Sequence, residues 1–183
     1  MRALPVLETE RLILRNLEDS DADALFTIFS DPQVMTYWHT PPWSVISDAQ
    51  NYIAAAHQGM LVDEQYVFAI VDKHNHTLMG KCLLWQIVQS SQRAEIGFGL
   101  GVPFWGKGYI QEAGRALLEF AFKQMALNRI EAEIDPDNTG SAKALLRLGF
   151  EQEGHLRQRW IVDGHKSDSA LYGLLREDWA LNS

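Results

Sequence analysis

Two glycines one residue apart, Gly106 and Gly108, lie in the run 102–113 (VPFWGKGYIQEA), between a predicted strand and a predicted helix. Ala113, Ala116, Leu117, Phe120 and Ala121 recur at three- and four-residue spacing, which predicts a helix ending near Met125. A glycine turn feeding a helix start leaves backbone N–H groups pointing outward with no side chain in front of them. Together with the positive end of the helix dipole they form a site for phosphate, to which Lys107 adds a charge. A dinucleotide fingerprint needs a third glycine where this chain has Gln111, and it must follow a parallel strand. The Gly-x-x-x-x-Gly-Lys-Ser/Thr loop of nucleotide triphosphatases is absent as well. Another phosphate-bearing ligand is required.

Composition narrows the choice. The 183 residues are expected to form one domain, 1–183, long enough to bury about two-thirds of the unfolded surface. Sixteen Lys and Arg against 24 Asp and Glu leave a net charge of −8 with no basic run, which disfavours direct nucleic-acid binding. The single Cys82, flanked by Leu83, Leu84 and Trp85, reads as a buried filler and allows no disulfide. The six histidines show no ligand spacing, so no metal is expected. Neither a signal-peptide pattern nor a membrane-length apolar run is seen, so the expected compartment is the cytoplasm, with no membrane partner.

The elements that must carry the glycine turn follow from periodicity and punctuation. Leu12–Leu14 reads as a first strand, and caps at 19–21 open a helix through Ile28 and Phe29 that Asp31-Pro32 ends. An aromatic and proline loop, 37–43, precedes a second helix starting at Ser47 or Asp48 and ending near Gly59. Strands at 66–71, 78–88 and 94–100 form an antiparallel meander. After the glycine-turn helix come a strand at 129–134, a helix from Ser141 stopped by Gly149, and strands at 156–162 and 169–175. The order β-α-α-β-β-β-α-β-α-β-β is a mixed α/β (α+β) chain with a mostly antiparallel sheet and about four flanking helices.

Residues 102–113 together with Asn138 and Gly149-Phe150 resemble the GNAT superfamily of acetyl-CoA-dependent N-acetyltransferases, whose element order matches throughout. The closer resemblance is to its RimJ/RimL-like branch, which acetylates the N-termini of ribosomal proteins. It rests on 8–12 (ETERL), 95–98 (EIGF), 105–109 (WGKGY), 138–141 (NTGS), 148–150 (LGF) and Asp163-Gly164 with Asp168. The chain departs from the superfamily at Ile110, where a small residue is usual, and at Leu145, where many members carry a Tyr general acid.

The resemblance implies a GNAT fold whose fourth and fifth strands, here 94–100 and 129–134, splay apart. It implies acetyl-CoA as the cofactor, with its diphosphate on Gly106, Lys107, Gly108, Tyr109, Ile110 and Gln111. The pantetheine arm is then expected on Leu100, Gly101 and Val102, where alternating Gly97, Gly99 and Gly101 allow close backbone approach, and Asn138 also contacts the cofactor. Glu95 is implied as general base and Ser141 as proton donor to the leaving thiolate, against an ion pair with Arg93 or another sheet neighbour, and a helix cap, as their bland alternatives. Glu112, in the first helical turn, reads as structural. Tyr37, Trp38 and His39 are expected on the acceptor side, with Arg157, Arg159 and Trp160 facing the acceptor or a second subunit. The implied acceptor is a primary amine, foremost a protein N-terminus. A small-molecule amine and a non-catalytic acyl-CoA sensor are the alternatives. Monomer and homodimer both remain open.

Overall fold

A strand that must lie parallel to its neighbour needs a crossover, and here a single helix supplies it. In the computed structural model, which describes residues 4–182, eight strands form one sheet: β1 (Leu7–Glu8), β2 (Leu12–Asn16), β3 (Tyr66–Asp72), β4 (Leu78–Val88), β5 (Arg93–Leu100), β6 (Arg129–Ile134), β7 (Glu151–Val162) and β8 (His165–Leu175). Their order is β1-β2-β3-β4-β5-β6-β8-β7. Every pairing is antiparallel except β5–β6, the pair bridged by α3 (Tyr109–Glu119). The other helices are α1 (Ala22–Phe29), α2 (Ile46–Leu61), α4 (Thr139–Arg147) and α5 (Arg176–Asn182). No helix among the described residues is long and apolar enough to cross a membrane.

Period-two alternation sorts the strand residues onto two faces. On one face Leu12, Leu14, Phe68, Ile70, Leu84, Ile96, Ile130 and Leu174 pack with Ala113, Leu117 and Leu118 of α3 and Leu145 of α4. On the other, Val67, Ala69 and Val71 pack with Leu25, Phe29, Ala49 and Ile53 of α1 and α2. That second apolar layer ends near β4. Further across the sheet the same face carries Glu95, Glu131, Glu133 and Ser169, so half of it is left polar.

Most expected elements are present, with definite differences. Strand β1 and helix α5 are additional. Helix α2 begins at Ile46 because Asp48 is its third residue, accepting the N–H groups of Ser44 (2.8 Å) and Val45 (3.1 Å) in place of acting as the cap itself. Helix α4 begins at Thr139, with Asn138 as its cap. Helix α3 gives way after Glu119 to one wider turn, 120–124. Strands β7 and β8 reach further than expected, to Glu151 and His165, because β7 is mostly exposed along its length and shows no apolar alternation.

Lys81 is the odd residue of the α1–α2 layer. It is 3% exposed, and its Nζ lies 3.5 Å from the centre of the Tyr52 ring, 4.5 Å from Phe29 and 5.2 Å from Trp38, with no anionic partner among the described residues. Ring faces return about 2 kcal/mol to a desolvated cation, whereas burying a charge costs several kcal/mol. Burial therefore holds its proton affinity well below that of a free lysine. The unfolded chain then binds more protons between that lowered value and the ordinary lysine range, so stability climbs with pH across this window. Replacing Lys81 with Met is expected to raise stability at pH 7 by about 1–3 kcal/mol. It is also expected to flatten the climb between pH 7 and 10, as read from urea unfolding at each pH. A variant no more stable than the parent, with the same slope, contradicts this account.

Candidate active site

Only three residue pairs join β5 to β6, Arg93 with Arg129, Ala94 with Ile130 and Glu95 with Glu131. Beyond them the strands part, leaving a split in the middle of the sheet. Gly101 donates its N–H to Met79 O (2.9 Å), continuing the β4–β5 ladder. Antiparallel alternation then turns the N–H and C=O groups of Ile96, Phe98 and Leu100 toward the split. Of these, the Ile96 N–H is taken up by the Glu131 carbonyl in the last parallel pair, and the Leu100 carbonyl accepts the Trp105 indole N–H (2.8 Å). The expected backbone contacts at 100–102 need correction accordingly. Both polar groups of Gly101 are engaged internally, its carbonyl accepting from Phe104 N (3.0 Å), and the Val102 carbonyl accepts from Trp105 N (3.1 Å). The exposed edge lies mainly upstream, at the Ile96 carbonyl and Phe98. Gly99 matters on the other side of the strand, where an added Cβ would come within 2.8–3.0 Å of Phe29 and Trp38.

The split runs toward the turn at 106–108. Gly106 (φ +71°) and Gly108 (φ +80°) adopt the left-handed conformation that favours glycine, and a Cβ at Gly106 would meet nothing within 4 Å. The first α3 amide with an intrahelical acceptor is Glu112 N, donating to Gly108 O (3.1 Å). The N–H groups of Tyr109, Ile110 and Gln111 precede it and are free to meet an anion. Ile110 packs its side chain against the core, so its bulk does not fill the turn. Lys107 is exposed, and its carbonyl accepts from Arg11 Nη1 (3.0 Å). Gln111 donates from Nε2 to Arg147 O (3.0 Å), tying α3 to α4.

Glu112 is structural, as expected. It accepts from Thr9 Oγ1 (2.6 Å), Arg11 N (2.8 Å) and Arg11 Nε (2.7 Å), clasping the β1–β2 turn to the head of α3. These donors, against the opposing effect of burial, keep its carboxyl below the usual carboxylate range. Arg11 also lies 4.5 Å over the Tyr109 ring, with Nη2 3.5 Å from where a Gly108 Cβ would be. Its place at the turn was not evident from the sequence.

On the polar half of the other face stands Glu95. The alternative reading, an ion pair with Arg93, is excluded, since Arg93 Nη1 bonds Glu131 Oε2 (2.8 Å). Glu95 makes no hydrogen bond or ion pair among the described residues. Burial first, then the neighbouring Glu133 and Glu131, push its carboxyl up to about 7. His39 stacks on Trp160 (ring centres 4.0 Å apart), and burial lowers its proton affinity. Trp38 covers Gly99, whereas Tyr37 is exposed. Cys82 is fully buried, with its thiol pushed up by desolvation.

Asn138 uses Oδ1 to accept Ser141 N–H (3.0 Å), so Asn138 is the cap of α4 and Ser141 is not. The Ser141 hydroxyl makes no hydrogen bond among the described residues. Leu145 is buried in the core.

Residues 11–151 match the family described as acetyltransferase (GNAT) domain. The chain belongs to the GNAT acetyltransferases. The uncharacterized N-acetyltransferase p20 of Bacillus licheniformis is 38% identical over 177 residues, 97% of this chain and 99% of that relative. The [ribosomal protein uS5]-alanine N-acetyltransferase of Escherichia coli is 28% identical, covering 94% and 92%. The crystal structure of the GNAT-family acetyltransferase from Bacillus anthracis superposes with a TM-score of 0.85 at 26% identity, over 94% of this chain and 99% of that one. This GNAT chain is therefore an acetyl-CoA-dependent N-acetyltransferase. Its free amides at a glycine turn and its unpaired strand edge fit a ligand that carries a diphosphate and an extended amide-bearing arm.

The clasp on this acetyltransferase's glycine turn can be tested alone. Glu112→Gln is expected to lower stability at pH 7 by about 1–2 kcal/mol, the scale of hydrogen bonds to a charged group at a partly exposed site. Because the folded carboxyl titrates below its ordinary value, the parent's advantage is fully present above about pH 4.3 and fades as the pH falls through the folded value. Thermal melts from pH 3 to 7 report it. Identical curves for parent and variant show that the clasp contributes nothing.

Proposed function

We propose that the protein transfers acetyl from acetyl-CoA to the α-amino group of a protein N-terminus, with Glu95 as general base. The observation that carries this reading is an unpaired, half-buried carboxyl with a proton affinity near neutrality, at the point where β5 and β6 part. An α-amino group has a pKa of about 8 and a lysine ε-amine about 10.4. A base that titrates near 7 is matched to the first and weak for the second. The E. coli relative, named for the N-acetylation of an alanine of ribosomal protein uS5, supports the same acceptor class.

Acetyl-CoA supplies an acyl group activated as a thioester. In this reading the amides of residues 106–111, aided by Lys107 and Arg11, hold the diphosphate. The split edge at the Ile96 carbonyl, Phe98 and the Leu100 N–H orders the pantetheine arm. Gly101 and Val102 line the end of that edge, and Asn138 orders the head of α4. An N–H of β5 aimed into the split stabilises the carbonyl oxygen as charge develops. Glu95 removes the proton of the attacking amine, directly or through water. Ser141, freed from capping and with its hydroxyl unengaged, is the proton donor to the thiolate, a role that Leu145 cannot fill. Tyr37, Trp38 and His39 form the acceptor wall.

Glu95→Gln is expected to lower kcat about 100-fold or more, the scale of a general base. It should also abolish the acidic limb of kcat/KM near pH 7 while leaving coenzyme A affinity unchanged by calorimetry. The acceptor class is tested with peptides bearing free N-terminal Ala, Ser or Met, alongside polyamines, amino acids and aminoglycosides, by thiol release. Turnover of the peptides is the expected result. Turnover confined to the small amines overturns the protein N-terminus as acceptor.

Gly108→Val is expected to weaken coenzyme A binding at least tenfold by calorimetry, because the left-handed backbone there resists a branched side chain. Undiminished affinity argues against the turn as the diphosphate site.

A further inference from the structure

Glu95 shares its face of the sheet with a second carboxylate whose surroundings are opposite in kind. Glu133 lies two residues beyond Glu131 on β6, past the last β5–β6 pair and on the far bank of the split. Its side chain is 14% exposed, and three donors converge on Oε1: Ser169 Oγ (2.6 Å), Trp160 Nε1 (2.7 Å) and Arg159 Nε (3.6 Å). Ser169 itself is fully buried.

The third and second of those donors are delivered by a break in β7. Its pairing with β8 jumps from Leu156 opposite Ser169 to Trp160 opposite Ser167, and Gln158 adopts φ +49°. Asp168 holds the bulge, accepting from Gln158 N (2.7 Å) and pairing with His155 Nε2 (2.7 Å). Trp160 resumes pairing on the face that Leu156 and Ser169 share, where its N–H reaches Glu133 and its ring stacks on His39.

We propose that Glu133 is a positioning residue for transfer: pinned as an anion on the β6 bank, it governs when Glu95 on the β5 bank takes the acceptor's proton. This rests on the reading of Glu95 as general base.

The charges around the pair make Glu133 the effective neighbour. Glu131 adjoins Glu95 directly, but Arg93 Nη1 and Arg129 Nε both hold it at 2.8 Å, and two guanidinium groups offset its field. Glu133 is held mainly by two neutral donors, with Arg159 further off, so most of its charge still acts on its surroundings. Ser169 and Trp160 favour its ionised form and counter its burial. Glu95 has no donors. Two carboxyls in contrasting environments divide into a permanent anion and a titrating group. His39 faces Glu133 and Asp135 from the aromatic loop, and burial holds it toward the neutral form, so it offers Glu133 little cationic compensation.

The test uses the full chain labelled with carboxyl-carbon-13 glutamate, the Glu95 signal being assigned by its loss in Glu95→Gln. Without ligand, its titration midpoint is expected near 7 in the parent. In Glu133→Gln it should fall by about one pH unit, the scale set by a close like charge. The acidic limb of kcat/KM should move down with it. Glu133→Asp, which retains the charge, should restore most of both shifts. Glu133→Ala, which removes the same charge with a smaller side chain, should lower the midpoint alike and keeps the test open if Glu133→Gln does not fold. A midpoint unmoved in the neutral Glu133 variants, with Glu95→Gln still disabling transfer, overturns the role of Glu133 alone. A Glu95→Gln enzyme with the parent's full pH profile removes the base reading, and this role with it.

Discussion

Main-chain polar groups inside a sheet must find partners, and here the requirement goes unmet along one seam. After three pairs β5 and β6 diverge, and the Ile96 carbonyl with the N–H and C=O groups of Phe98 face a space that no strand fills. The remaining architecture keeps that seam open. Helix α3 crosses over between the two strands, while β5 is fixed on its other edge by β4 and β6 by β8. The wedge is therefore built into the pairing register rather than left to a mobile loop. Glycine at 99 lets Phe29 and Trp38 lie against the strand on one side, and the amides at the head of α3 open near its end.

The same register explains how one sheet serves two purposes. Its first four strands are covered on both faces and supply a conventional core. Across the split, the face beyond α1 and α2 is a lattice of carboxylates and guanidinium groups running from Arg93 through Glu131 and Arg129 to Glu153. Fixed, mutually paired charges of this kind are already oriented before a reaction begins, and that preorganisation is what makes a polar site effective. Glu95 stands at the border of the two regions, close enough to apolar packing to lose hydration and close enough to the lattice to feel it.

Much of this was legible in the sequence because it is carried by local signals. The glycine spacing at 106 and 108 gave the left-handed turn at the head of α3, period-two alternation put Glu95 on the face of Gly97 and Gly99, and Gly149 marked the end of α4. The pieces that were missed depend on long-range geometry. Whether Asn138 or Ser141 caps α4 shifts the helix start by nearly a turn, and local sequence allows either. Trp160 shares a face with Leu156 by alternation, but that face is turned toward Glu133 by the one-residue shift at Gln152 and Gly154, which the sequence does not announce. Lys81 shows no sign in one dimension that four aromatic rings, those of Phe29, Trp38, Trp43 and Tyr52, will close around it. The commitment of the Gly101 amide to Met79 was likewise hidden, since it depends on where the β4–β5 ladder stops.

The clasp formed by Thr9, Arg11 and Glu112 joins a sheet edge to the glycine turn through a single carboxylate. Whatever orders that turn also tightens the short strand β1 onto its neighbour, and fraying of the edge loosens the turn in equal measure. Occupancy at one rim of the molecule would then be legible at the other as slowed amide exchange near the amino terminus, a reciprocity demanded by thermodynamic linkage alone.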